Sequence, residues 1–165
     1  MPLRYVVCDV FTDRPLTGNQ LAVFTDARDI DEALLQPLAL EMNFAETVFL
    51  LPPRDGGHAR MRIFTPRREI PFAGHPTLGT AFVVGESTQL REVVLETGAG
   101  LVPVSLEREG ARVVFGWMRQ PVPRPVPCDG AAELLAALGV ARAELPVERY
   151  DNGMEHTYVL SLIHI

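Results

Sequence analysis

One segment, HPTLGTAFVVG from His75 to Gly85, constrains the fold of this chain more than any other. Pro76 suits the first position of a helix, because the N–H group that proline lacks would have no partner there. The residues that follow are apolar or small nearly all round the helix, which is typical of a helix buried on most of its sides. Gly79 and Ala81 allow neighbouring backbone to approach closely. We therefore expect other elements of the chain to bury this helix.

Strand-like segments precede and follow this helix, and most are bounded by turn residues such as Gly, Pro and Asn. Their content of Val, Phe and Leu favours strands. A second helix is predicted over Asp31–Met42 from the spacing of its apolar residues, with Asp29 or Asp31 as its cap. Pro37 should kink that helix or separate its first turns. The predicted strands are Arg4–Phe11, Gln20–Phe24, Glu46–Leu51, Ala59–Phe64, Arg91–Glu96, Leu101–Leu106, Arg112–Trp117, Val147–Tyr150 and Thr157–Leu160.

The domain organisation follows from a proline-rich stretch, RQPVPRPVPCDG, at Arg119–Gly130. Proline at every second position favours an extended, semi-rigid connector, and an edge segment of a sheet is the alternative. We expect a first domain over residues 1–118, a linker over 119–130 and the start of a second domain over 131–165. That last part holds one short helix, Ala131–Leu138, and two strand-like pieces, too few to bury a core, so we expect a truncated domain. The six residues from Leu160 to Ile165 match a translated library-adaptor sequence, and we expect a non-native tail there.

Charge and cysteine content exclude several classes of function. With 15 Lys+Arg against 21 Asp+Glu residues, the chain is too acidic to favour a nucleic-acid partner. Every cationic side chain is arginine, so neither a Schiff-base lysine nor a phosphate-loop lysine is available. No apolar run approaches the ~20 residues of a membrane-spanning helix. Two distant cysteines, Cys8 and Cys128, suit a reduced, cytoplasmic protein, and no histidine pair has metal-ligand spacing, so we predict no metal.

His75 is the first candidate for chemistry, because it stands where the buried helix is predicted to begin. Free backbone N–H groups and the positive end of the helix dipole lie there. That field disfavours protonation, so we expect a neutral ring unless a carboxylate lies beside it. The same N–H groups would bind a carboxylate ligand, and Gly74 would let it approach the backbone. A histidine that only caps the helix is the alternative.

Glu46 is the second candidate, at the start of a predicted strand. Alternation places Glu46, Val48 and Leu50 on one face of the strand. Both faces are mainly apolar, so the carboxylate would be partly removed from water, as catalytic acids and bases often are. A glutamate at an exposed strand end is the alternative, and periodicity alone favours it. Asn19, in TGNQ, is interpreted as a turn residue, and an amide that binds a ligand is the alternative.

Four motifs together resemble the phenazine-biosynthesis PhzF-like isomerase family: GNQLAVF, EMNFAETVFLL, RIFTPRREIPFAGHPTLGTAF and YDNGMEH. The resemblance runs from about Val6 to His156. It implies the diaminopimelate-epimerase-like fold, an α+β architecture in which a strongly curved, mainly antiparallel sheet wraps around a central helix, here Leu78–Gly85. The family has two such halves with the active site between them, and the resemblance implies a homodimer.

The resemblance also implies a mechanism. The catalytic base of the family falls on Glu46, and its second polar residue falls on His75. The reaction moves a proton within trans-2,3-dihydro-3-hydroxyanthranilate and uses no metal or redox cofactor. Racemases of the same superfold carry a thiol where this chain has Ala73, which argues against two-thiol racemisation. The residues expected to bind the small-molecule substrate and its carboxylate are Asn19, Gly74, Pro76 and Thr77.

Two departures from the family pattern bear on activity. The family's second half supplies an acidic residue and a Gly/Ser-rich helix start that complete the cleft, and no such sequence occurs after Gly130. NGMEH also replaces the commoner NGPRH, with Glu155 in place of arginine. We therefore expect an exposed apolar patch around the helix start, marginal stability and little activity from these 165 residues alone. The alternative functions are a non-catalytic binding module and an amino-acid racemase or epimerase.

Overall fold

The chain folds into two units, and the boundary between them lies between Gln120 and Pro121. The first unit consists of an eight-stranded sheet and two helices. The structure is a computed structural model that describes residues 2–161. The strands of the first unit are β1 Tyr5–Val10, β2 Asn19–Phe24, β3 Glu46–Leu51, β4 Ala59–Phe64, β5 Glu69–Ile70, β6 Glu92–Thr97, β7 Gly100–Glu109 and β8 Arg112–Met118, and the helices are α1 Glu32–Met42 and α2 Gly74–Thr88.

The sheet of the first unit is mixed. Its strands follow the order β1-β2-β3-β4-β6-β7-β8, and β5 pairs with β4. The pairs β2/β3 and β4/β6 are parallel, and the other pairs are antiparallel. Helix α2 contacts β1, β2, β3, β6, β7 and β8. The predicted α+β fold, a curved sheet around a central helix, is therefore confirmed, with more parallel character than expected.

Helix α2 is buried as its apolar sequence predicts. Gly79, Thr80 and Ala81 are fully or almost fully buried. The helix begins at Gly74, so Pro76 occupies its third position rather than the first; the proline is tolerated because N–H groups of the first turn have no partner inside the helix. His75 and Pro76, at the helix start, are themselves buried and form no part of the predicted exposed apolar patch. Large exposed apolar side chains lie on the edge strands, such as Trp117 on β8.

Gly79 sets the distance between α2 and the first two strands. A Cβ atom at this position would lie 2.7 Å from Val10 Cγ2 and 2.8 Å from Leu21 Cδ2. Real Cβ atoms do not come so close to neighbouring carbons, because interiors are already packed to crystal density. The absence of a side chain therefore allows the helix to lie against β1 and β2.

The opposite face of the sheet carries α1. Phe24 of β2 and Phe49 of β3 stack with ring centroids 4.8 Å apart, in a core that includes Leu35 and Ala39 of the helix. Strand β3 is thus buried on both faces, as predicted. The Asp31 carboxylate caps α1 by accepting the Ala33 N–H at 3.0 Å, and the helix is continuous through Pro37, so its first turns are not a separate helix.

The second unit contains the strands β9 Arg124–Val126, β10 Glu148–Asp151 and β11 Glu155–Tyr158 and the short helix α3 Ala131–Ala137. Its three strands form a sheet in the order β11-β10-β9. Part of the proline-rich stretch forms β9, an edge strand, which is the alternative that the sequence left open. The Glu155 carboxylate pairs with Arg149 at 3.6 Å. Residues 162–165 of the suspected tail lie outside the described part of the chain.

The close contact at Gly79 gives a prediction about stability. Gly79→Ala should cost roughly 1–3 kcal/mol through overpacking, partly offset by the roughly 0.5–1 kcal/mol that alanine gains in helix propensity. We expect a net loss of about 1 kcal/mol in the free energy of unfolding, measured by urea denaturation. Gly74→Ala is the matched control on the same helix, because its Cβ would meet only Met118 Cε, at 3.7 Å. A loss as large for Gly74→Ala would contradict the packing argument.

Candidate active site

The starts of β2, β3 and α2 meet at one end of the first unit. Strands β2 and β3 run parallel with Leu21 opposite Glu46, so both begin at the same end of the sheet. Leu21 faces Gly79 of α2, and the two-residue period of a strand places Asn19 on that same face. As the parallel partner of Leu21, Glu46 also points toward α2. The topology therefore brings both side chains to the helix N-terminus.

Glu46 and His75 are in direct contact. Glu46 Oε2 lies 3.3 Å from His75 Nε2, and the two side chains are only 18% and 8% exposed. Within the described chain, neither atom has a hydrogen-bond partner of good geometry, although both are buried. Most buried polar atoms in folded proteins have a partner, and a catalytic role is one explanation for a buried polar atom that has none. Glu46 is therefore not at an exposed strand end, which was the alternative interpretation.

His75 is also held from its other side. Its Nδ1 atom lies 3.1 Å from Asn19 Nδ2. The residue preceding the helix is Ala73, and no side chain caps the first turn by a hydrogen bond, so His75 is not a helix cap. Asn19, His75 and Glu46 thus form one continuous polar row, from an exposed amide to a buried imidazole to a largely buried carboxylate.

The electrostatic environment favours a neutral imidazole. Burial lowers the pKa of His75 below its ordinary value; the Glu46 carboxylate and the Gln20 backbone carbonyl act in the opposite direction without reversing it. Near neutral pH the ring therefore has one nitrogen that donates and one that accepts. Such a ring beside a carboxylate can orient a ligand and exchange hydrogen bonds with it as a proton moves.

The helix start offers two N–H donors to an anion. The N–H groups of Gly74 and His75 have no partner within the helix, and Pro76 has no N–H at all. Thr77, expected from the sequence to bind substrate, is fully buried. Its N–H and its hydroxyl both donate to the Ala73 carbonyl, at 3.3 and 2.8 Å. Any carboxylate bound here would rely on the first two residues of α2.

Cysteine chemistry is not part of this site. Both cysteines are free thiols. Burial, and after it the Asp9 carboxylate, raises the pKa of Cys8 to about 11, so that thiol stays protonated near neutral pH. Its Sγ lies 3.5 Å from the position of a Cβ at Gly79, which makes Cys8 a packing residue against α2.

Other features of the described residues lie outside the site. No group of three or more His, Cys, Asp or Glu side chains within residues 2–161 could hold a metal ion. No helix there has the length and apolarity needed to cross a membrane. A cavity of about 850 Å³ lies against the C-terminal part of α2, near Val84, and none of the predicted site residues lines it.

Comparisons with known proteins agree with the fold and the motifs. A family model described as "Phenazine biosynthesis-like protein" matches residues 8–162. Trans-2,3-dihydro-3-hydroxyanthranilate isomerase of Pseudomonas aeruginosa is 48% identical over 156 residues, which cover 94% of this chain and 56% of that protein. The chain thus spans little more than half the length of this curated relative.

Solved structures are also similar to this chain over about half of their own length. A predicted epimerase from Pseudomonas aeruginosa aligns with a TM-score of 0.82 and 32% identity over 93% of this chain and 57% of that one. A hydroxyproline epimerase from Agrobacterium vitis aligns with a TM-score of 0.64 over 94% of this chain and 50% of that one, but at 13% identity. The second comparison shows a likeness of fold alone.

The Glu46–His75 contact predicts a shift that can be measured without substrate. The Glu46 carboxylate raises the pKa of His75, so Glu46→Gln should lower that pKa further, because burial then acts with less opposition. The pKa can be followed by NMR titration of the imidazole resonances. Glu107→Gln, at an exposed position on β7, is the matched control and should leave the titration unchanged. An unchanged or raised pKa in Glu46→Gln would show that the contact does not exist in solution.

Proposed function

This chain belongs to the phenazine biosynthesis-like family, and from that premise we propose that it functions as an isomerase that moves a proton within a small, carboxylate-bearing metabolite. One observation supports this most directly: Glu46 Oε2 and His75 Nε2 lie 3.3 Å apart, both buried, and neither is satisfied by a well-formed hydrogen bond within the described chain. Such a pair is costly to a fold unless a ligand uses it.

Glu46 is the proposed acid and base. It takes a proton from one carbon of the substrate and returns it to another, so the product keeps the composition and oxidation level of the substrate. No electrons enter or leave, and the proposed reaction calls for no redox cofactor. A carboxylate is a strong enough base for this step when the proton is allylic, because the charge left behind spreads over a conjugated system.

His75 and the helix start are proposed to position the substrate. The neutral ring can donate or accept a hydrogen bond beside the reacting carbons, and the N–H groups of Gly74 and His75 can bind the carboxylate at the positive end of α2. The curated relative acts, by its name, on trans-2,3-dihydro-3-hydroxyanthranilate. We propose a metabolite of that kind for this chain, with Asn19 at the mouth of the site.

Racemisation of an amino acid by two thiols is less well supported. Ala73 stands at the helix cap, and the raised pKa of Cys8 keeps its thiol protonated. We also propose that the active form is a homodimer in the cytoplasm, on the strength of the family resemblance and the cysteine content. Light scattering of the purified protein measures the first of these properties.

The test of function uses the chain alone and the chain fused to the part of the Pseudomonas aeruginosa relative that it does not span. We expect turnover of trans-2,3-dihydro-3-hydroxyanthranilate, followed by absorbance, at least in the fusion. Glu46→Gln should reduce kcat by about 10²–10⁴-fold, the typical contribution of a general base. Cys8→Ala, which removes only a packing group, should keep turnover within about threefold, since it touches no proposed substrate atom.

Two results would count against the proposal. Turnover that survives Glu46→Gln would remove the proposed base. Substrate binding without turnover in both forms of the protein, detected by calorimetry, would favour a non-catalytic binding module instead.

A further inference from the structure

The polar row at the helix start contains the amide of Asn19, and the hydrogen bond of this amide bears on which nitrogen of His75 carries the proton. Asn19 Nδ2 is 3.1 Å from His75 Nδ1, and the opposite ring nitrogen, Nε2, is 3.3 Å from Glu46 Oε2. The ring is therefore held between an amide and a carboxylate. The following inference rests on the proposed function, in which Glu46 acts as the base.

A neutral imidazole carries one N–H, and the group facing one nitrogen determines the state of the other. An amide NH₂ can only donate, so Nδ1 must accept from Asn19 and the proton must sit on Nε2. That N–H then points to the side of Glu46. If the amide presented its oxygen instead, Nδ1 would carry the proton, and the lone pair of Nε2 would face the Glu46 carboxylate, which is an unfavourable contact.

We propose that Asn19 is a positioning residue that holds His75 in the Nε2-protonated tautomer, and that this tautomer presents an N–H rather than a lone pair to the side of Glu46, the proposed base. The amide acts through the ring and needs no contact with the reacting carbons. Asn19 is exposed whereas the ring is buried, so the amide lies on the solvent side of His75.

The groups around the ring are compatible with this assignment. From β3, Glu46 is the charged group that acts on His75; from β2, the Gln20 backbone carbonyl has a smaller effect. On α2 itself the neighbouring groups are the uncharged N–H groups of the first turn. The nearby end of β8 contributes Met118, which is apolar. One other arrangement of the ring proton competes with this assignment. In it, Nδ1 carries the proton and donates to the Gln20 backbone carbonyl, and Asn19 has no role.

The Asn19 backbone does not require an asparagine side chain. Asn19 begins β2 and pairs with Val10 through the backbone, and its φ angle is not among the left-handed values found at Phe11 and Leu16. Substitution of the amide should therefore leave the strand pairing intact, and effects on the ring can be separated from effects on folding.

The experiment measures the tautomer directly. Two-dimensional ¹H–¹⁵N spectra of the imidazole, recorded on the chain itself without substrate, distinguish a protonated from an unprotonated ring nitrogen. In the wild type we expect Nδ1 to be unprotonated and Nε2 to carry the proton. In Asn19→Asp, whose carboxylate can only accept, the proton should move to Nδ1 or the ring should become doubly protonated, and its titration should move to higher pH.

Two further variants make the result specific. Gln20→Glu adds the same charge one residue away, on the opposite face of β2, and should leave the tautomer unchanged. Asn19→Leu keeps the size of the side chain without its hydrogen bond and should yield a mixture of tautomers. A proton on Nδ1 in the wild type, or identical spectra in wild type and Asn19→Asp, would overturn the proposal.

Activity supplies the second readout. In the form of the protein that turns over, Asn19→Asp should lower kcat by at least about tenfold, while urea denaturation shows an unchanged fold. If no form turns over any substrate but the tautomer shifts as expected, the proposed function fails and the assignment of the ring proton stands. If turnover requires Glu46 but ignores Asn19, the positioning role fails and the isomerase remains.

Discussion

The contact of α2 with β1 and β2 at Gly79 is the constraint on which the rest of the first unit depends. Because position 79 has no side chain, the helix lies directly against Val10 and Leu21. The helix axis and the parallel strands β2 and β3 then share one end, and that end is where His75, Asn19 and Glu46 come together. A bulkier residue at this point would push the first turn of the helix away from the strands that supply its partners. Packing in the middle of the helix thus controls polar geometry at its start.

The site is held in an energetically unfavourable state by favourable packing around it. A buried polar atom without a partner costs roughly 1–3 kcal/mol, and both Glu46 Oε2 and His75 Nε2 are in that condition. Strand β3 can tolerate these unpartnered atoms because Val48 and Phe49, a few residues further along, are completely buried on opposite faces of the sheet. Val48 lies on the face that holds α2, and Phe49 stacks on Phe24 on the face that holds α1. A strand buried on both faces therefore fixes the position of the Glu46 carboxylate, at its first residue, more firmly than a surface strand could.

Local sequence patterns predicted most helices and strands well, but they predicted contacts between residues far apart in the sequence poorly. Strands β3 and β4 begin and end where their Val, Ile and Phe content indicates, whereas β5 is two residues long and has no periodicity to detect. Helix α2 continues past Gly85 because that glycine packs on Leu106, and Gln89 takes the left-handed cap position instead, with φ of 59°. Glu96 was assigned only to a strand, yet its buried carboxylate accepts N–H groups from Arg54, Asp55 and Gly57. The Asn19–His75 bond joins residues 56 positions apart, and no motif spacing encodes it.

Fold alone does not decide the chemistry of this chain, because the hydroxyproline epimerase shares the architecture at 13% identity and function resides in particular side chains. What distinguishes this site is the combination of a carboxylate with an imidazole that stays neutral. Were His75 protonated, it would form an ion pair with Glu46, and a carboxylate stabilised in that way is a weaker base. Burial prevents this by lowering the pKa of the ring, so the ring brings no positive charge to Glu46. The carboxylate therefore keeps its ability to take a proton, which is what the proposed proton transfer requires.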